Sequence, residues 1–145
     1  MISLDTNLLL YALNSDCAEH SRAAAFLAEC GQRKDVAIAE LVLLELYQLL
    51  RNPAVMTRPL GALDAAVICQ RLRRNQRWAL IENAPVMERV WSLAATPGIA
   101  RRKLFDARLG LTLLHHGVDE FATRNVTDFE GLGFRRVWNP LAEVG

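Results

Sequence analysis

The sequence predicts an α/β fold, a three-layer α/β/α sandwich around a short, mostly parallel central sheet. Short apolar runs alternate along the chain with longer segments whose apolar residues recur at helical spacing. Strands that alternate with helices in this way form parallel sheets covered on both faces. Helix breakers fall where those segments must stop: Gly31, Pro53, Pro97-Gly98 and Gly117. The chain has 145 residues, 52% of them hydrophobic. That length suits one domain over 1–145, and the composition excludes a disordered chain.

The first strand runs from Ile2 to a carboxylate, Asp5. A helix then begins, with Thr6 or Asn7 offering a side-chain oxygen to its free backbone donors. Asp16-Cys17-Ala18-Glu19 reads as the start of a second helix, capped by Asp16 and stopped at Gly31. Val36–Ala39 is the second strand, and a long helix from about Glu40 to Arg51 ends before Asn52-Pro53. Residues 52–60 form a loop, and Leu63 to Arg74 a helix with Val67, Ile68 and Leu72 inward. Trp78–Ile81 is the third strand. Val86 to Ala95 is a short helix. Lys103 to His116 is a helix closed by Gly117. Asp119–Thr123 is the fourth strand, and Phe134–Trp138 a fifth ended by Asn139-Pro140.

No apolar run reaches the ~18 residues of a membrane span, and the N-terminus lacks a signal peptide's basic start. Cys17, Cys30 and Cys69 are odd in number and sit in Ala- and Leu-rich surroundings, which suits buried, reduced thiols in a cytoplasmic protein. The net charge of +1 says little about partners. The basic residues cluster at Arg71, Arg73, Arg74 and Arg77, at Arg101, Arg102 and Lys103, and at Arg135 and Arg136. Each cluster is either a solvated surface or a site for phosphate, which arginine forks match.

Four acids stand out. Asp5, at the carboxyl end of a central strand, is placed either to cap the following helix or to meet a ligand, because open α/β sheets bind ligands there. Glu45 lies on a helix of leucines, where a carboxylate costs free energy unless paired. A buried ion pair with Arg51, or with an arginine of another helix, is the alternative to a functional role. Asp106 is favoured by the dipole of its helix and has Arg102 and Lys103 within pairing reach, yet it shares a face with Leu109, Gly110 and Leu113. Asp128 follows the fourth strand, where it either caps a turn or joins the others. All four can reach one rim of the sheet. Gathered carboxylates repel one another unless a cation sits among them. An all-oxygen set suits Mg²⁺, with Mn²⁺ able to substitute. His115 and His116 lie at a helix end, where positive charge is favoured in any case.

Asp5-Thr6-Asn7, Glu45 in its leucine-rich helix, Asp106-Ala107-Arg108 and Thr123-Arg124-Asn125-Val126-Thr127-Asp128-Phe129 occur in the order seen in the PIN domain. The chain resembles the VapC-type toxins of bacterial toxin–antitoxin pairs, and Val137-Trp138-Asn139-Pro140-Leu141 is also similar to that group. The resemblance implies a Mg²⁺-dependent endoribonuclease that cuts tRNA or rRNA and stops translation. It also implies a homodimer held inactive by a cognate VapB-type antitoxin, whose C-terminal peptide covers the acidic pocket. Carried over by position, Asp5 and Asp106 would be the main metal ligands, with Glu45 and Asp128 completing the catalytic set. Thr6, Asn7, Thr123 and Asn125 would support it, and Arg102, Arg108 and Arg124 would bind RNA. The sequence departs from many relatives at Asn125, where they carry an acid.

Two other readings fit parts of the pattern. One is a catalytically silent module of the same fold that binds nucleic acid or protein. The other is a phosphotransferase of the haloacid dehalogenase type with Asp5 as nucleophile, but it needs a second Asp where this chain has Asn7.

Overall fold

The computed structural model describes residues 1–142; residues 143–145 of the expected domain lie outside them. Five strands form one sheet: β1 (Ile2–Leu4), β2 (Val36–Ala39), β3 (Ala79–Ile81), β4 (Glu120–Ala122) and β5 (Arg136–Trp138). Their order across the sheet is β3-β2-β1-β4-β5, and every pair is parallel. Every residue of β1 and β2 is buried. Successive side chains of a strand point to opposite faces, so complete burial means that both faces are covered. Each fully buried Ile, Leu or Val contributes roughly 1.5–3 kcal/mol relative to exposure. That is why an unbroken apolar run such as Val-Ala-Ile-Ala becomes a central strand.

Among the described residues seven helices connect the strands: α1 (Thr6–Leu13), α2 (His20–Gly31), α3 (Glu40–Leu50), α4 (Ala62–Arg73), α5 (Met87–Ala94), α6 (Lys103–His115) and α7 (Val126–Phe129). The chain leaves β1 for β2 and β3 on one side, then crosses to β4 and β5 on the other. The reversal lies between β1 and β4, whose carboxyl ends are neighbours: the Asp5 N–H donates to the Ala122 carbonyl at 2.9 Å. In open sheets of this kind the crevice at such a reversal is the expected ligand position.

The long elements match the sequence reading to within a residue or two, and Gly117 closes α6 at a φ of +88° that favours glycine. Four local expectations are corrected. Asp5, not Thr6 or Asn7, is the N-cap of α1, accepting the Thr6 N–H at 2.7 Å. Residues 16–19 do not start α2, which begins at His20; Asp16 is drawn away by Arg58 at 3.1 Å. Val67 is exposed, while Ile68 and Leu72 pack against the core. Only Cys30 is buried among the three free cysteines.

Two packing details set the height of the site. Phe121 on β4 lies 4.7 Å from the Phe129 ring of α7 and stacks on Phe134 at 5.5 Å. Gly110 lets α6 close onto this segment: a Cβ there would stand 2.5 Å from Leu132 Cδ1. Together they fix α7, which carries Asp128, against α6, which carries Asp106.

Candidate active site

Asp5 directly follows β1 and is 8% exposed. Its carboxylate is held on three sides. The Thr6 N–H donates to Oδ1, the Thr123 hydroxyl donates to Oδ2 at 2.7 Å, and Asn7 Nδ2 reaches Oδ2 at 3.4 Å. Thr123 directly follows β4, beside Asp5 at the sheet reversal, and its Oγ1 also accepts the Asn125 N–H at 3.0 Å. Asn7 Oδ1 in turn accepts the Arg124 N–H at 3.4 Å. The strand ends thus lock the Asp5 carboxylate in one orientation. Thr6 itself is buried, with its hydroxyl unpartnered.

Two adjoining cavities open on this rim. One of about 290 Å³ is lined by Asp5, Asn7, Glu45, Asp106, Arg108 and Asn125, among others. The other, about 1090 Å³, is lined by Glu45, Asp106, Asn125 and Asp128 and by Arg101, Arg102 and Lys103. Glu45, Asp106 and Asn125 belong to both. Residues far apart in sequence are therefore gathered along one crevice, with Asp5 at its closed end and Asp128 at its open end.

The electrostatics follow this layout. Burial pushes the Asp5 carboxyl up from 3.8 to about 6, against the hydrogen bonds from Thr123 and Thr6. The charges of Glu45 and Asp106 push it in the same direction. Asp106 is likewise raised to about 6, first by burial, then by Asp128, with Lys103 opposing and Glu45 adding. Both carboxyls are thus poised to release protons when a cation arrives. Among the described residues, no three His, Cys, Asp or Glu side chains stand together as a ready-made metal cage. The donor chemistry is all oxygen and suits a hard dication.

Glu45 does not form the buried ion pair considered from the sequence. It is exposed on the crevice wall, because α3 buries Val42, Leu43, Leu46 and Leu50 instead. Arg51 donates to the Tyr47 hydroxyl at 2.9 Å. Of the arginines, Arg102 is exposed in the larger cavity and Arg108 lines the smaller. Arg124 lines neither; its guanidinium pairs with Glu19 at 2.9 Å, donates to the Tyr11 hydroxyl at 2.7 Å and lies over the Tyr11 ring. The Arg135-Arg136 cluster pairs with Asp119 and Glu120, and Arg73 with Glu40. Lys103 Nζ donates to the Asp128 carbonyl. The crevice contains Arg101, from the basic cluster offered as a phosphate site, and also Ile99, Ala100 and Phe105, which the sequence did not single out. For Phe105 helical spacing pointed the other way, since it shares a face with Leu109, which is buried.

Replacing Thr123 by Val removes the hydroxyl that holds the Asp5 carboxylate in its charged form. The Asp5 carboxyl is expected to rise further, so the acid limb of the pH–activity profile should move to higher pH, with little change on its alkaline side. An unmoved acid limb in that variant would separate Asp5 from the activity.

The family model for the PIN domain matches residues 2–134. Ribonuclease VapC24 of Mycobacterium tuberculosis, in two strains, is 68% identical over 145 residues, covering 100% of both chains. Among solved structures, VapC20 of Mycobacterium tuberculosis, described as a sarcin–ricin loop cleaving toxin, superposes with a TM-score of 0.68 at 20% identity, over 92% of this chain and 96% of that one. A toxin–antitoxin complex from Klebsiella pneumoniae gives 0.56 at 24% identity, over 97% and 98%. These structural likenesses speak for the fold alone. With the matched family and the full-length identity added, the chain belongs to the PIN-domain family, in its VapC group.

Proposed function

We propose that this chain is a Mg²⁺-dependent endoribonuclease, with Mn²⁺ able to substitute, and the toxin of a toxin–antitoxin pair. The observation that carries the reading is the meeting of Asp5 and Asp106 in one crevice with Glu45, the two aspartate carboxyls raised to about 6. Support also comes from the 68% identical relative, which is named a ribonuclease.

Asp5 and Asp106 would hold the ion, with Glu45 and Asp128 adjoining. When bound, the ion supplies Lewis acidity and an activated water for attack on a phosphodiester. Thr123, Asn7 and the Thr6 N–H keep the Asp5 oxygens aimed, so no reorganisation is needed as charge develops. Arg102 and Arg108 face the same crevice and are placed to bind flanking phosphates, which makes affinity fall with salt. The structural role of Arg124 leaves it a lesser part in RNA binding.

Cleavage of tRNA or rRNA, and with it arrest of translation, is the outcome the reading entails. Its test is cleavage of total RNA by purified protein in Mg²⁺ and in EDTA, followed by sequencing of the new ends. Cleavage that persists in chelator overturns it.

An antitoxin partner is supported by the toxin–antitoxin complex among the structural relatives and by an acidic crevice suited to an arginine side chain. Co-purification with a small neighbouring gene product would establish it; growth unaffected by expression of this chain alone counts against it. A homodimer is supported by Leu44 and Leu63, which stand 66% and 76% exposed on α3 and α4. Sedimentation as a monomer at micromolar concentration would exclude it. Among the described residues no helix is long and apolar enough to cross a membrane.

A further inference from the structure

Phe105 is 78% exposed, more than any other large apolar side chain among the described residues. Its exposure is not a matter of a loosely packed helix end. The adjacent Leu104 packs against the cluster of Val86, Val90 and Leu111, and Asp106 turns into the crevice. Phe105 lines both cavities. The acid Asp5 belongs only to the smaller cavity, and Arg101 and Arg102 only to the larger. A flat apolar ring therefore stands between the end of the crevice that holds Asp5 and the end that holds Arg101 and Arg102, with Glu45 and Asp106 beside it.

That juxtaposition matches one stretch of a single nucleic-acid strand: a phosphate at the acids, the next phosphate at the arginines, and a base beside them needing a π-face. We propose that Phe105 is the stacking platform for an unpaired RNA base next to the phosphate that is cut, with Arg101 and Arg102 holding the adjacent phosphate. The proposal rests on the ribonuclease reading above. A base inside a duplex already has both faces stacked, so the platform selects single-stranded RNA. Phe105 is ringed by Glu45, Arg101, Arg102, Lys103, Asp106 and Asp128, a charged surround that suits a phosphate-bearing strand, and an antitoxin segment entering the same crevice is the competing occupant that the test separates.

The test compares the unaltered protein with Phe105→Ala, Phe105→Leu and Phe105→Trp. Cleavage kinetics are measured in Mg²⁺ on a short single-stranded RNA carrying 2-aminopurine at alternate positions, and binding is followed in Ca²⁺ by quenching of that base. Stacking of one base on an aromatic side chain predicts a KM increase of about 5- to 100-fold in Phe105→Ala, with kcat changed less. Phe105→Leu should lose the quenching although it stays apolar, and Phe105→Trp should keep it. Because the side chain is exposed, all three variants should unfold at the temperature of the parent. Equal KM and equal quenching in Phe105→Ala overturn the inference and leave the ribonuclease reading standing. The same follows if that variant handles RNA normally but no longer retains a co-purifying protein. Absence of both binding and cleavage by the unaltered protein overturns both.

Discussion

Asp106→Asn is expected to lower RNA cleavage by about a thousand-fold or more while leaving the fold intact. Asp106 lines both cavities, as Glu45 does, and its carboxyl is raised by the charges of Asp128 and Glu45. An amide of the same shape keeps one oxygen but no negative charge, so the hold on a hard dication is lost along with its stabilisation of phosphate charge. A thousand-fold is about 4 kcal/mol at ~1.36 kcal/mol per tenfold, within what metal-ion catalysis contributes. Asp106 is only partly buried and makes no hydrogen bond among those described for its side chain, so unfolding should change little. A second consequence separates this account from a structural one. The Asp106 charge helps to raise Asp5, so the variant should titrate Asp5 at lower pH. Cleavage of RNA by Asp106→Asn at the parental rate would remove the acids from the mechanism.

Asp5→Asn is expected to stabilise the metal-free protein at pH 7.5 by about 2 kcal/mol while abolishing cleavage. The Asp5 carboxyl titrates at about 6 in the folded chain against 3.8 for an unperturbed group. Its charged form is therefore disfavoured by folding. The penalty is absent below about pH 4, where the carboxyl is neutral both folded and unfolded, and complete above about pH 6. A rise of about two units corresponds to about 3 kcal/mol. Asparagine removes the charge but loses roughly 1 kcal/mol in hydrogen bonds to Thr123 and Thr6. Urea unfolding in EDTA should show the variant more stable at pH 7.5 and the advantage gone near pH 4. Mg²⁺ should raise the stability of the parent more than that of the variant, because the variant keeps Asp106, Glu45 and Asp128 but lacks one of the two main ligands. A variant that is less stable than its parent at pH 7.5 would show that Asp5 serves the fold before the site. Stability held back at a functional acid is a common trade-off in enzymes.

Much of this was readable from the chain. The alternation of short apolar runs with helical periodicity gives the parallel sheet, because burial on both faces demands apolar side chains at every strand position. The four acids were recognisable for a related reason: Asp5 and Asp106 are carboxylates on segments that otherwise read as core. Where the expectation failed, a partner from another segment or the turn of a helix decided the outcome. Asp16 has the form of a helix cap, but Arg58, from the loop after α3, claims it. Glu45 sits among leucines in sequence, yet the exposed Leu44 beside it shows that α3 turns this side outward.

The order of residues alone determined the strands, the helices and the identity of the acids, since those depend on period and polarity within one segment. Tertiary structure alone decided which charges meet. Thr123 grips Asp5 because β1 and β4 lie side by side at the sheet reversal. Arg124 turns away to Glu19 while Arg101 and Arg102 stay at the crevice. Phe105 is left bare because the first turn of α6 turns Leu104 toward Val86, Val90 and Leu111 and leaves its neighbour on the crevice. Contacts between distant segments are set by packing and register across the whole sheet, and no local pattern encodes them.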